Sequence, residues 1–506
     1  MEAARTLEKL HLFDRENRHL EWAVAVLRWD QETYLPEGGV EERSEQLALL
    51  EGIAHGRLTS SETGRLLSEL GSTTENPQGD EALPPLERDF LKVLRRIYDR
   101  AVKLPGDFVS AAARAEGLSQ AAWINARRDN DFSAFLPHLV KMIDFSRQRS
   151  QYWGYADNPY DGLLDIYEPG MDADTINAVF TPLRERLSAL LKKIASCPRP
   201  DTSFLQYDFD IERQASFSQA LMQWLGFDSR RGRLDVSAHP FTTTLGPDDV
   251  RITTRYLPRQ IQSGIFSTIH ESGHAFYEMD FPGEIRDSCL ADGASMGIHE
   301  SQSRYWENVI GRSLSFWEPM FRVLRSYFPG ALSLVTAEDF YRAINLVEPS
   351  LIRVEADEVS YSLHIILRFE LERDLFSGTL APEDLPAAWR RKMKELLGIE
   401  PETDAQGVLQ DVHWSMGSFG YFPSYALGNL YGLQFQDKLL SDLPQTGELI
   451  AAGNFVPIRG WLRDNIYVWG RRLQPRELLQ TVTGKGLSAE YFLNYIESKY
   501  SGVYGF

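Results

Sequence analysis

The sequence predicts a mainly α-helical protein carrying one small β-sheet. Three observations lead there. Apolar residues recur at three- and four-residue spacing through most of the chain, Pro and Gly clusters punctuate those runs, and a single short window is rich in β-branched residues.

The helical reading starts at Arg5–Leu35, where Leu7, Leu10, Phe13, Leu20, Ala23, Val26 and Leu27 keep the period until Pro36-Glu-Gly-Gly39 ends it. A second helix is expected over Val40–His55. Ser72–Pro85 reads as a loop, with long helices resuming at Leu86. Further helical runs cover Ala173–Ala195, Ile211–Trp224 and much of the chain beyond Ser295. The exception is His239–Tyr256, where β-branched residues flank Gly246-Pro-Asp-Asp249; that pattern predicts two short strands around a turn. There are no internal repeats and no low-complexity tract. The 506 residues are expected to form one catalytic unit, with 1–200 as a helical wall and 201–506 as the metal-site region.

Charge and cysteine usage narrow the function. With 53 basic and 72 acidic side chains the formal net charge is −19, which repels phosphate backbones and anionic membranes, and no basic stripe offsets it. Neither nucleic acid nor membrane is an expected partner. The only cysteines, Cys197 and Cys289, make no CxxC pair, so a sulfur-ligated zinc site is excluded and a reducing cytoplasm is the expected location. Met1–Leu20 lacks the apolar core of a signal peptide, and no stretch approaches 18 uncharged apolar residues.

The chemistry concentrates in His270-Glu-Ser-Gly-His274, an HExxH motif. On a helix, positions i and i+4 aim two imidazoles at one point, and Glu271 follows the first ligand as a general base for water. Zinc requires such neutral imidazoles, a further ligand and an open position. An accidental HExxH on an ordinary helix is the bland alternative. Against it stand the buried-helix flanks Phe266, Ile269, Phe276 and Tyr277, and the Pro282-Gly283 stop. For the third ligand, Ser295–Trp306 reads as a second helix with Ser295 as N-cap. It carries Glu300, 26 residues past His274, room for an antiparallel return. Glu300 alone would read as an i,i+4 partner of Arg304; beside HExxH it reads as a ligand. His299 points to another side of that helix and takes no ligand role. The spacing that metzincins require is absent.

At these residues the chain resembles the carboxypeptidase Taq family of metallocarboxypeptidases. The likeness rests on His239-Pro-Phe241, Asp249-Val-Arg-Ile-Thr253, His270-Glu-Ser-Gly-His274, His299-Glu-Ser-Gln302, Ile352-Arg-Val-Glu-Ala-Asp357 and Gly407-Val-Leu-Gln-Asp-Val-His-Trp414. Trp29-Asp-Gln-Glu-Thr33 with Pro36-Glu-Gly-Gly39, and Tyr160–Gly170, extend it over nearly the whole chain. Asp287–Ala294 departs from the expected pattern, which leaves the shape of that loop open. The resemblance implies a helical protein split by a deep cleft, commonly a homodimer, with one zinc or cobalt ion. It also implies release of single residues from peptide C-termini with broad specificity, C-terminal proline excepted.

By resemblance to related helical zincins, His413 and Tyr421 are the candidate oxyanion donors, with Tyr425 as the substitute for Tyr421; the bland alternative is that this aromatic stretch is core. A terminal carboxylate suits the planar fork of an arginine. Arg353, taken as lying in an apolar helical stretch, is the first candidate, with a salt bridge to Asp357 as its structural alternative. Arg251 is the second, although its strand, Val250–Tyr256, could instead line the cleft edge and pair with an extended peptide. Two rival readings stand beside the carboxypeptidase: an endo-acting helical zinc oligopeptidase, and a helical scaffold with a decayed site.

Overall fold

The computed structural model describes residues 2–155 and 158–506, and the chain is mainly helical. The expected helix–break–helix start is present: α1 spans Glu2–Thr33, a short turn covers Glu37–Gly39, and α2 runs Val40–Leu58. α2 itself is little buried. Arg43 is the one buried residue of α2, where it donates to the Leu27 carbonyl and to Asp30 Oδ2 at 2.6 Å. The Ser72–Pro85 loop is also as expected, and the next helix, Pro85–Val102, begins on a proline whose missing N–H is no loss at that position. Helices at Ala173–Ile194 and Ile211–Leu225 match the periodic runs.

One contiguous apolar core extends from Leu10 to Tyr504. Through it runs Glu358–Ser377, a helix buried on all sides that nevertheless carries His364, Arg368 and Glu372 inside. Polar groups so placed need partners.

The hairpin appears as β2 (Thr242–Gly246) and β3 (Asp249–Thr254), and a third strand, β1 (Gly232–Val236), joins it in the order β1-β3-β2. β1 runs parallel to β3 and β2 antiparallel. The sequence conceals β1 because its burial is inverted. Asp235 is inside, taking hydrogen bonds from Tyr34 (2.7 Å) and Arg233 (2.6 Å), while Val236 faces solvent. This topology corrects one expectation. β3 is the central strand, bonded on both sides, so an extended peptide cannot add to Val250–Tyr256; β2 is an edge.

The HExxH helix, Ile261–Met279, lies against the sheet, and the glutamate helix, Met296–Arg304, crosses it. Two glycines permit the close approach. A Cβ on Gly273 would sit 2.7 Å from Ser303 Cα, and one on Gly428, in the helix Phe422–Asp442, would sit 2.6 Å from Glu300 Cγ. The glutamate helix is therefore gripped between two others at backbone distance.

Candidate metal centre

Ser295 caps the glutamate helix as expected, accepting from Ile298 N at 3.0 Å. The same N-terminus is held from below by the buried Glu168, which accepts from Gly297 N and burial raises to about 7. Glu300 is thereby aimed at the two histidines. His274 Nε2 lies 3.5 Å and His270 Nε2 3.8 Å from Glu300 Oε2, and the three donor atoms lie within 4.8 Å of one another. The other carboxylate oxygen takes Arg304 Nε at 2.7 Å, so the ion pair considered as an alternative coexists with the convergence.

Each imidazole is oriented from behind, as metal-binding histidines usually are. His270 Nδ1 faces Glu307 Oε2 at 2.9 Å. His274 Nδ1 faces His299 Nδ1 at 2.6 Å, and His299 Nε2 reaches Glu278 Oε1 at 2.6 Å. His299 thus stands behind His274 rather than among the three converging donors. Glu307 escaped the sequence reading because its contact with His270 joins residues 37 positions apart on different helices. Tyr305–Ile310 winds as a π-helix. Tyr495 (3.0 Å) and Lys499 (3.3 Å) donate to the Asn308 carbonyl in that turn.

The electrostatics follow from this crowding. Burial works against a charge on His270, but Glu300 and Glu307 outweigh it and the net shift is upward. Burial, then the neighbouring His299, push His274 down to about 3. Burial opposes the charge on Glu300, yet Arg304 and His270 hold it well below the usual carboxylate range. Burial raises Glu271, whose Oε2 accepts from Thr242 Oγ1 at 2.6 Å.

This donor set fits a divalent cation. A tetrahedral zinc with bonds of about 2.0–2.2 Å holds its donors roughly 3.4 Å apart, close to the separations between Glu300 and the two rings. Four carboxylates (Glu271, Glu278, Glu300, Glu307) face two guanidinium groups (Arg304, Arg312), a shortfall of positive charge that a dication fills.

A second cluster begins one side chain away. The Arg304 guanidinium stacks over the Tyr361 ring at 4.4 Å, and Tyr361 Oη accepts from Arg353 Nη1 at 3.2 Å. Arg353 opens a short 3-10 turn rather than lying in a helix, and its partner is Asp411 Oδ1 at 2.9 Å, not Asp357. Asp357 is occupied as N-cap of the buried helix, accepting from Val359 N and Ser360 N. The fully buried Arg368 takes the other Asp411 oxygen, with Nε at 2.7 Å. Burial opposes the Asp411 charge, but Arg368 and Arg353 hold its carboxyl well below its ordinary range. The sequence offered no sign of this pairing across 58 positions.

His413 and Tyr421 adjoin this cluster. Their rings lie 5.4 Å apart, and His413 Nε2 is 3.4 Å from Tyr425 Oη. Burial brings His413 down to about 4, so it is neutral at neutral pH, and its buried Nδ1 has no partner among the described residues. Burial, then the charge of Glu300, raise Tyr421, so this hydroxyl also feels the metal side. Arg251 is not brought in. It pairs across the sheet with Thr243, while Thr242 on the other face touches Glu271. Asp249 (2.8 Å) and the Trp29 ring (4.3 Å) hold Arg251 there.

Comparison with known proteins agrees with the geometry. The family pattern described as carboxypeptidase Taq (M32) metallopeptidase matches residues 9–500, and the chain belongs to that family. It is therefore a metallocarboxypeptidase, which sets aside the endopeptidase and scaffold readings. It is 41% identical to carboxypeptidase 1 of Bacillus subtilis (strain 168), over 99% of each chain. It is 43% identical to thermostable carboxypeptidase 1 of Thermus thermophilus, over 97% of this chain and 98% of that one. The crystal structure of an M32 carboxypeptidase from Deinococcus radiodurans R1 superposes with a TM-score of 0.96 at 39% identity, covering 99% of this chain and all of that one. Among the described residues no helix is long and apolar enough to cross a membrane.

Proposed function

We propose that this enzyme releases single C-terminal residues from peptides with broad side-chain specificity, using one zinc ion per chain held by His270, His274 and Glu300. Cobalt is the expected substitute. The carrying observation is the meeting of three donors from two helices beside the buried carboxylate of Glu271.

Such an ion, when bound, polarises the scissile carbonyl and brings the pKa of a water to roughly 7. Glu271 takes the proton of the attacking water and delivers it to the leaving amine. His413, neutral, and Tyr421 donate to the developing oxyanion, with Tyr425 as the alternative hydroxyl; losing one such donor commonly costs roughly 2.7–4 kcal/mol of barrier. Arg353 receives the terminal carboxylate. Support for that role is the charge count around Asp411, where two guanidinium groups share one carboxylate and one positive charge is left over.

Residues 1–506 act as a single catalytic unit in this reading, with 1–200 as cleft wall. The homodimer is carried over from the family resemblance, and cytoplasmic residence from the two unpaired thiols, Cys197 and Cys289. The test pairs metal content with cleavage of one peptide as its free acid and as its C-terminal amide. We expect one zinc per chain and turnover of the acid only. Equal turnover of the amide would remove the carboxylate anchor.

A further inference from the structure

The general base is held by a strand that the mechanism so far leaves unused. Thr242 opens β2, and its Oγ1 lies 2.6 Å from Glu271 Oε2 and 3.0 Å from the Glu271 backbone carbonyl. One hydroxyl proton is shared between two acceptors of the same residue. That contact ties the Glu271 carboxylate back to its own helix and fixes side-chain torsions that a glutamate otherwise samples freely. Among the described residues no protein group hydrogen-bonds Oε1, so the threonine takes one oxygen and leaves the other for the reacting water.

The strand is rigidly placed for this task. Thr242 pairs with Ile252 on the central strand, both are on the face turned to the HExxH helix, and Ile252 is fully buried there. Two residues on, Thr244 Oγ1 donates to Glu278 Oε2 at 3.2 Å, so β2 is pinned to the same helix two turns further along. Thr243, between them, pairs with Arg251 on the opposite face.

We propose that Thr242 is a positioning residue for Glu271: a strand hydroxyl that holds the general base in its proton-accepting rotamer without touching metal or substrate. This rests on Glu271 being the base. A general base contributes on the order of 10²–10⁴ in rate, and a misplacement of about 1 Å can cost on the order of 100-fold. Freeing the rotamer should therefore lower kcat and leave ground-state binding alone.

The experiment compares Thr242→Val, which keeps the shape and removes the donor, with Thr242→Ser, which keeps the donor, and Thr243→Val as a control on the other face. Each is assayed for kcat, KM, bound metal and the Tm of both metal-loaded and metal-stripped protein; Glu271→Gln is run alongside. We expect T242V to lose about 10- to 100-fold in kcat with KM, metal stoichiometry and both Tm values kept, T242S to recover most of it, and T243V to behave as wild type. A T242V kcat within twofold of wild type, beside an inactive E271Q, overturns the proposal. So does a parallel loss of metal or Tm in T242V and T242S, which would mark a structural contact. Should T242V fail to fold, T242A against T242S carries the same comparison. An active E271Q would instead reject Glu271 as the base, a different failure.

Discussion

The two buried charge clusters of this enzyme are built alike and unbalanced in opposite directions. Around His270 and His274, carboxylates outnumber guanidinium groups; around Asp411, guanidinium groups outnumber carboxylates. Arg304 and Tyr361 lie between them, one touching Glu300 and the other Arg353. Burying charge is costly unless it is paired, so a residual charge kept inside a core calls for a ligand of the opposite sign. The first cluster asks for a cation and the second for an anion. A peptide with a free C-terminus has an anion to offer, one residue beyond the bond to be cut.

Changes that remove the reason for one imbalance test this contrast most severely. Glu300→Ala should strip the metal and abolish turnover, whereas Glu271→Gln should keep the metal and lose at least about 100-fold in kcat. Metal analysis after dialysis reads the difference; stoichiometric zinc in the Glu300→Ala protein would falsify the ligand assignment. On the anion side, Asp411→Asn leaves Arg353 and Arg368 facing each other without their shared counter-ion. Breaking a buried pair in this way costs about 3–5 kcal/mol. Urea unfolding should show the loss, and a midpoint equal to wild type would mean that the charge at Asp411 does not hold the cluster together.

The two clusters also differ in how far the sequence disclosed them. The metal side is local: an i,i+4 pair on one helix, an N-cap at Ser295 and a glutamate on the next helix can all be read by counting. Counting fails at the His270–Glu307 contact, 37 positions apart, and at the His274–His299 contact, because residues on two crossing helices have no fixed spacing. The anion side is non-local throughout. Helical spacing offers Asp357 as the structural alternative for Arg353, but Arg353 precedes the helix and Asp357 caps it. Its true partner arrives from a loop 58 residues on. The missed β1 and the displaced Arg251 share a cause: which face of a strand is buried depends on what packs there, and the alternation of apolar residues did not say. The mainly helical class and the lone hairpin were legible because each rests on a run of residues rather than on one contact.

A third buried charge has no such neighbours in balance and should announce itself through pH. Glu372 accepts from Tyr160 Oη (2.6 Å), Trp414 Nε1 (2.7 Å) and Gly420 N (2.9 Å), yet burial dominates and lifts its pKa from 4.5 to about 7. The folded state therefore binds this proton more tightly than the unfolded chain. The stabilisation is full below about 4.5 and is lost as pH rises toward 7, at no more than about 1.4 kcal/mol per unit. Glu372→Gln cannot titrate, so wild type should lose stability relative to this variant between pH 5 and pH 7. A flat difference, or one of opposite sign, would show that the three donors keep Glu372 ionised and that it belongs with the paired charges after all.

The smallest expected effect is the most specific to the anion cluster. Arg353→Lys keeps the positive charge beside Asp411, so the cluster should stay folded and its excess charge should persist. What lysine lacks is the planar fork: Arg353 uses Nε and Nη2 on Asp411 and Nη1 on Tyr361, and a single ammonium cannot span both and still meet a carboxylate. KM for free-acid peptides should rise about tenfold, worth roughly 1.4 kcal/mol, with kcat nearly unchanged, because the lost contact holds the substrate equally in ground and transition states. Steady-state kinetics on a short dipeptide-to-tetrapeptide series separates the outcomes. If kcat falls and KM stays, Arg353 acts through Tyr361 and Arg304 on the metal side, and the two clusters work as one.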